Sequence, residues 1–212
     1  MATVKNKSGN DVAAKVVLDP HGMPVTGGSG TTMVGSTDYN PEQFSSRIEK
    51  LREERIRGID NSPEGLDPGT DELTKFRTND EYDLQRSYNG KTSQGYSGFV
   101  SDFTPVASYA FGFTGAQLGV SLEGLLVGGG LLNLKNWLGN PQVIDVSGPY
   151  FNNPNNPPNV ERGFHDFFKT LDTPSEFSRY DSVKDPANTE LRHWDSNRIE
   201  QNSHGSDAGN GQ

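Results

Sequence analysis

The stretch SYAFGFTGAQLGVSLEGLLVGGGLLNLKNWLG, residues 108–139, decides the fold, because it is the most apolar part of an otherwise polar chain. Glu123 is the only charged side chain between residues 103 and 134. Glycines interrupt the stretch, and Gly119–Val120 predicts a break between two helical pieces, with Ser121 capping the second. An apolar helix of a globular protein has to be buried, so the stretch predicts a core that is packed closely through its glycines.

A membrane segment is the alternative for the same stretch. About thirty residues without Lys or Arg are long enough to cross a bilayer, and the glycine pairs 115/119 and 124/128 have the spacing of close-packed membrane helices. Ser, Thr and Gln interrupt the run, however, and no basic cluster flanks it to set an orientation. The pattern therefore favours a core helix, and a membrane-permeabilising protein that uses residues 105–134 stays open as an alternative.

The composition indicates a small core with long irregular flanks. Only 31% of the 212 residues are hydrophobic, whereas Gly (25) and Pro (13) are plentiful. The net charge is -9, and residues 84–171 balance five acids against five bases, so a surface that wraps nucleic acid tightly is not expected. The chain has no cysteine and its histidines lack ligand spacing, so the sequence predicts neither a metal nor a cofactor.

The chain divides into four predicted parts. Residues 1–39 are expected to form a flexible N-terminal arm because they are rich in Gly, Ser and Thr, and 40–75 an amphipathic helix with an acidic connector. Residues 76–172 form the predicted globular module, and 173–212 a polar, largely disordered tail. The expected fold is α+β and mostly helical, a small compact module with a short hairpin at Asn89-Gly90 and long irregular loops. We find no internal repeat of useful length.

Glu123 is the first candidate for chemistry. As an acid in the first turn of a helix it is favoured by the helix dipole, which is the ordinary explanation. Apolar neighbours would instead disfavour its charged form and let it act as a general acid. With Asp83 or Asp102 it would then form the carboxylate pair of a peptidoglycan-cleaving hydrolase. Tyr82 and Asp102 are also predicted to bind substrate.

His165 is the second candidate, on the predicted helix NPPNVERGFHDFFKTL at residues 156–171. Val160, Phe164 and Phe168 form the apolar face of this helix, and His165 projects to the other side. There it lies beside Glu161, Arg162 and Lys169, the last two of which are suited to holding a phosphate. This face, together with Asp83, is the predicted active surface if the protein is a nuclease. An exposed helical face with ordinary ion pairs is the simpler explanation.

Three segments resemble the bacterial polymorphic toxin type 44 domain. They are YDLQ at 82–85, FGFTGAQLGVSLEGLL at 111–126 and GPYFNNPNNPPNVERGFHDFF at 148–168. The resemblance covers about 90 residues of the chain and includes Asp83, Glu123, Tyr150 and Arg162 among its matching positions. The family has Trp and Lys around its Asp, where this chain has Tyr82 and Gln85, and its acidic loop is here composed of amides.

The resemblance implies an exported antibacterial toxin effector, and the family is usually described as a predicted ribonuclease. It also implies a cognate immunity protein, a secretion-machine component as a partner, and substrate binding by Tyr150. The first residues lack the apolar run of a secretory signal, so we expect synthesis in the cytoplasm and delivery into a target bacterium by a dedicated machine. RNA is the first choice of substrate and peptidoglycan the second. A non-enzymatic component of a virion or secretion apparatus is a further alternative.

Overall fold

The computed structural model describes residues 2–19, 21–37, 45–56, 72–77, 80, 82–86, 98–139 and 145–171. Within them an antiparallel sheet of three strands, in the order β1-β2-β3, is formed by β1 (Ala2–Lys5), β2 (Asp11–Val16) and β3 (Val34–Ser36). The helices are α1 (Ser45–Ile56), α2 (Thr104–Gln117), α3 (Leu122–Gly139) and α4 (Pro157–Phe168), with 3-10 turns at Ser101–Phe103 and Pro149–Phe151. The predicted class, α+β and mostly helical, is confirmed.

The N-terminal region differs from the expected flexible arm, because residues 2–37 form a small β-structure with its own buried side chains. Val17, Val25 and Met33 are at most 4% exposed. Their backbones close a ring of hydrogen bonds: the N–H of Val17 donates to Met33, that of Met33 to Val25, and that of Val25 to Val17, at 2.8–3.0 Å. The Gly and Ser residues that suggested a linker instead occupy the tight turns between these three residues.

Three tight turns of the N-terminal β-structure have the same backbone geometry; one of them joins β1 to β2. In each turn, the backbone N–H of the first residue donates to the carbonyl of the residue four positions later. The carbonyl of the first residue accepts the N–H of a glycine three positions later. The turns begin at Asn6, Asp19 and Gly27. The glycines, Gly9, Gly22 and Gly30, have φ between 76° and 80°, a conformation that glycine adopts without a steric penalty. The last two turns lie eight residues apart, as do Val17, Val25 and Met33, so the chain contains a short structural repeat that the sequence analysis missed.

The break predicted in the apolar stretch is confirmed. Helix α2 ends at Gln117, Gly119 has φ 75°, and α3 begins at Leu122. The hydroxyl of Ser121 accepts the backbone N–H of Gly124 at 3.0 Å, which caps the second helix as expected. Among the described residues, none of the helices combines the length and the apolar character that crossing a membrane requires.

Helices α2 and α4 cross through two glycines. A methyl group at Gly112 would lie 2.0 Å from the carbonyl oxygen of Val160, and one at Gly163 would lie 2.0 Å from that of Tyr109. The contact is reciprocal, because each glycine meets the carbonyl three residues before the other. Below the crossing, Phe164, Phe167 and Phe168 are buried with Leu125 and Val160, which confirms the apolar face predicted for α4.

Several earlier expectations fall partly or wholly outside the described residues. The turn Asn89-Gly90 is one, although its flanks Arg86 and Phe99 form an antiparallel bridge. The start of the amphipathic helix predicted within 40–75 and the tail 173–212 are others. Helix α1 is described from Ser45 to Ile56 and buries Ile48 fully, in agreement with its predicted amphipathic character.

Candidate functional site

Asp166 of helix α4 is the centre of a polar cluster, which we call the Asp166 cluster. It consists of Tyr109 from α2 together with Arg162, Asp166 and Lys169. Asp166 is 0% exposed. Its Oδ2 accepts the Nε–H of Arg162 at 2.8 Å and the hydroxyl of Tyr109 at 3.3 Å, and its Oδ1 accepts the ammonium of Lys169 at 2.5 Å. A buried carboxylate with three donors is satisfied, since burial of a charge is tolerated when it is paired and hydrogen-bonded.

The position of Asp166 explains the geometry of the cluster. Arg162 lies four residues before it and Lys169 three residues after it, so both cations lie on the same helical face. The side chains of Arg162 and Lys169 remain 40% and 31% exposed, because only one end of each reaches the buried carboxylate. Asp166 therefore fixes two partly exposed cations along one line of the helix surface.

His165 lies on the same side of α4, three residues after Arg162 and four before Lys169. It is half-buried, with its ring 5.6 Å from that of Phe164 in an edge-to-face arrangement. Glu161 precedes it by one turn and is exposed. Arg162, His165 and Lys169 thus lie on one side of α4, and the buried acid Asp166 holds the two cations.

Tyr82 and Asp83 belong to a second group, the Glu72 cluster: Glu72, Lys75, Tyr82, Asp83 and Arg86. Tyr82 is 1% exposed and donates its hydroxyl to Glu72, which also pairs with Lys75 at 2.9 Å. Asp83 is 8% exposed and forms an ion pair with Arg86, whose guanidinium lies over the ring of Phe99. A buried tyrosine cannot meet a polymeric substrate, so the predicted substrate-binding role of Tyr82 is not supported.

Glu123 is exposed in the first turn of α3. Its side chain makes no hydrogen bond or ion pair with another residue in the part of the chain that the structure describes. Because Glu123 is exposed, apolar neighbours do not enclose it as the general-acid hypothesis requires. Asp102 is likewise exposed, in the 3-10 turn before α2, where it accepts the hydroxyl of Ser101 at 3.3 Å. Glu123 and Asp102 are thus exposed acids, whereas Asp83 is buried and paired with Arg86, and the carboxylate pair of a peptidoglycan hydrolase stays a prediction.

A substitution at Glu123 tests whether this carboxylate acts only at the helix start. We expect Glu123→Gln to lower the free energy of unfolding by less than about 1 kcal/mol, because an exposed acid in a first turn interacts only with the helix dipole. Any lytic or nucleolytic activity of the protein should stay unchanged. A large loss of activity without a loss of stability, measured by an activity assay and urea unfolding of the same preparation, would restore Glu123 as a catalytic residue.

Tyr150 lies in the loop 148–152, which packs against α3 at Gly130. Both Tyr150 and Phe151 have positive φ, 54° and 65°, and their side chains are 46% and 51% exposed. Asn152 is buried and donates from Nδ2 to the carbonyls of Leu126 at 2.7 Å and Pro149 at 3.2 Å, which fastens the loop to the helix. Tyr150 is thus accessible to a ligand, as a substrate-binding residue has to be.

No protein-family model matches this chain, and neither a curated protein nor a solved structure is similar to it. The resemblance to the polymorphic toxin type 44 domain accordingly stays a prediction. The described residues contain no group of three His, Asp or Glu side chains arranged to hold a metal ion.

Sequence reasoning missed Asp166, Glu72 and Tyr109. Asp166 follows Arg162 by four residues and precedes Lys169 by three, and this spacing of opposite charges is a recognisable helical pattern. Glu72 has a similar local signal in Lys75, three residues on, but its partner Tyr82 lies ten residues away. Tyr109 has no local signal, since Asp166 is 57 residues away.

Proposed function

We propose that the protein is an antibacterial toxin effector that hydrolyses RNA, with the surface formed by Arg162, His165 and Lys169 of α4 as its active site. One observation carries the proposal: Arg162 and Lys169 converge on the fully buried Asp166. This pairing positions the two cations before substrate arrives. Preorganised cations are the main means by which a protein stabilises the charge that develops on a phosphate during its transfer.

Arg162 and Lys169 keep donors for a phosphate. Arg162 uses Nε for Asp166, and a guanidinium has five N–H donors in all, so its terminal nitrogens are available for phosphate oxygens. Lys169 uses one of the three donors of its ammonium. Two cations and one carboxylate leave the cluster with a net charge of +1, which suits a substrate that binds briefly rather than one that is held tightly.

His165 supplies the proton transfers. Its imidazole takes the proton of an RNA 2′-hydroxyl, and the oxygen attacks the adjacent phosphorus. A bond forms between that oxygen and phosphorus, the bond to the 5′-oxygen breaks, and a 2′,3′-cyclic phosphate results. The imidazolium then gives its proton to the departing 5′-oxygen, so protons balance over the step. Histidine suits both roles because its ordinary titration range lies near neutral pH.

The biological setting of the proposal comes from the sequence resemblance. An RNA-cleaving toxin requires a cognate immunity protein in the producing cell and a secretion-machine component for delivery into the target cell. Both partners are part of the proposal. The peptidoglycan-cleaving alternative takes second place, because the family that the sequence resembles is usually described as a predicted ribonuclease.

Substitution of His165 tests the proposal. We expect His165→Ala to reduce cleavage of single-stranded RNA by the purified full chain about 100-fold or more, which is the usual contribution of a general acid–base group. His21→Ala is the matched control, because His21 is an exposed histidine on a hairpin turn of the N-terminal β-structure. The control should cleave at the wild-type rate. RNA cleavage by His165→Ala at the wild-type rate would contradict the assignment.

Expression in two compartments separates the proposed substrate from the alternative. A ribonuclease should arrest growth when it is made in the cytoplasm, with degraded RNA and intact cell wall. Toxicity that appears only with a periplasmic leader, accompanied by cell-wall cleavage and intact RNA, would instead support the peptidoglycan alternative.

A further inference from the structure

The loop 148–152 holds two neighbouring aromatic residues in an unfavourable backbone conformation. Tyr150 and Phe151 have φ 54° and 65°, in the left-handed region that costs a bulky residue roughly 1–3 kcal/mol. Burial of the rings does not offset this cost, because the side chains are 46% and 51% exposed. Neither ring packs against another aromatic ring within the described part of the chain. The strained backbone therefore directs two flat apolar rings towards solvent.

Three neighbouring residues maintain this conformation. Gly130 lets the loop approach α3, since a methyl group there would lie 1.6 Å from the carbonyl oxygen of Tyr150. Gly148 is equally restricted, because a methyl group there would lie 2.5 Å from the carbonyl oxygen of Asn152. Asn152 is 3% exposed and bonds to carbonyls on both sides of the contact. The loop is thus constrained by helix α3 and by its own buried amide.

We infer that Tyr150 and Phe151 form a stacking platform for the nucleobases of single-stranded RNA. This inference rests on the proposed function and adds how the RNA substrate is bound. Exposed aromatic rings bind bases through their faces, and such stacking contributes about 1–3 kcal/mol per base without requiring a particular sequence. A preformed platform loses little conformational entropy when the base arrives.

The polar groups around the platform fit a base better than a phosphate. Asn153 and Asn155 follow the two rings, and the Oδ1 of Asn153 accepts the backbone N–H of Asn155 at 3.0 Å. The exposed side-chain amide of Asn155 offers both donors and an acceptor, as the edge of a base requires. Asp145 lies before the loop, where the hydroxyl of Ser147 and then its backbone N–H hold the pKa of Asp145 below its ordinary value. A charged acid at this position repels phosphate. The platform thus contacts bases, and the cations of the Asp166 cluster contact the backbone.

Replacement of both rings by leucine tests the platform. Tyr150→Leu/Phe151→Leu keeps apolar bulk and removes planarity. The probe is a short 2′-O-methyl oligoribonucleotide, which binds but cannot be cleaved through its 2′-oxygen, and binding is followed by fluorescence anisotropy. We expect the double variant to bind the probe about tenfold more weakly than the wild type, the equivalent of one lost stack. Leu131→Ala, another exposed apolar residue next to Gly130, should leave binding unchanged.

An abasic probe with the same phosphates provides the second measurement. We expect the wild type to bind it about tenfold more weakly than the base-bearing probe, and the double variant to bind both equally. Gly130→Ala, which moves the loop and retains both rings, should reduce this discrimination. Equal binding of both probes by the wild type would overturn the platform. So would a double variant that still binds the base-bearing probe about tenfold more tightly than the abasic one. Preferential binding of a cell-wall oligosaccharide by the wild type would also overturn it. Discrimination between the probes without RNA cleavage would retain the platform and refute the ribonuclease.

Discussion

Gly163→Ala is expected to destabilise the protein by about 3 kcal/mol or more, the upper part of the range for overpacked cores. The added methyl group would lie 2.0 Å from the carbonyl oxygen of Tyr109 and 2.9 Å from the backbone nitrogen of Phe113. These are backbone atoms of α2, which cannot rotate away as a side chain could. Helices α2 and α4 would have to separate, and the aromatic residues beneath their crossing would lose contact.

Urea unfolding followed by circular dichroism measures this effect, and Gly128→Ala is the matched control. Gly128 lies in α3 with nothing within 4 Å of an added methyl group. Alanine there should stabilise the helix by up to about 1 kcal/mol, because it has the higher helix propensity. If Gly163→Ala lowers the free energy of unfolding by less than about 1 kcal/mol, helices α2 and α4 pack less closely than the structure indicates.

The double substitution Arg162→Met/Lys169→Met is expected to lower the free energy of unfolding by about 3–5 kcal/mol. This is the usual penalty for leaving a buried charge without its partner. Asp166 would retain only the hydroxyl of Tyr109. Each single substitution should cost much less, roughly 1 kcal/mol, since both cations are partly exposed and the other still pairs with Asp166.

A third substitution identifies the cause. Adding Asp166→Asn to the double variant removes the buried charge and should recover most of the lost free energy of unfolding, measured by the same urea titration. A triple variant as unstable as the double variant would mean that the loss comes from the packing of the Arg162 and Lys169 stems rather than from the unpaired carboxylate.

Helical features were predictable from the sequence because their signals are local. The break at Gly119, the cap at Ser121 and the apolar face of α4 each depend on residues a few positions apart, and all three are present. The face with Arg162 and Lys169 was also predictable from helical spacing. The acid that joins them follows the same rule and was overlooked.

The remaining features depend on contacts between distant parts of the chain. Val25 and Met33 stand in a segment rich in Gly, Ser and Thr, and only the core behind them makes that segment a β-structure rather than a linker. The exposure of Glu123 agrees with the ordinary explanation of an acid at a helix start, whereas periodicity alone does not show which neighbours cover that start. The positive φ of Tyr150 and Phe151 likewise results from the approach of α3 at Gly130.

The contact between Asn159 and Gly28 has a consequence for synthesis. Its two residues are 131 positions apart, and the amide oxygen of Asn159 accepts the backbone N–H of Gly28 at 3.1 Å. At about 5–20 residues per second, a ribosome needs roughly 7–26 s to extend the chain from one residue to the other. Val25 and Met33 belong to one core cluster with residues between 84 and 110, which are made earlier, so the N-terminal β-structure acquires its core partners well before Gly28 can meet α4.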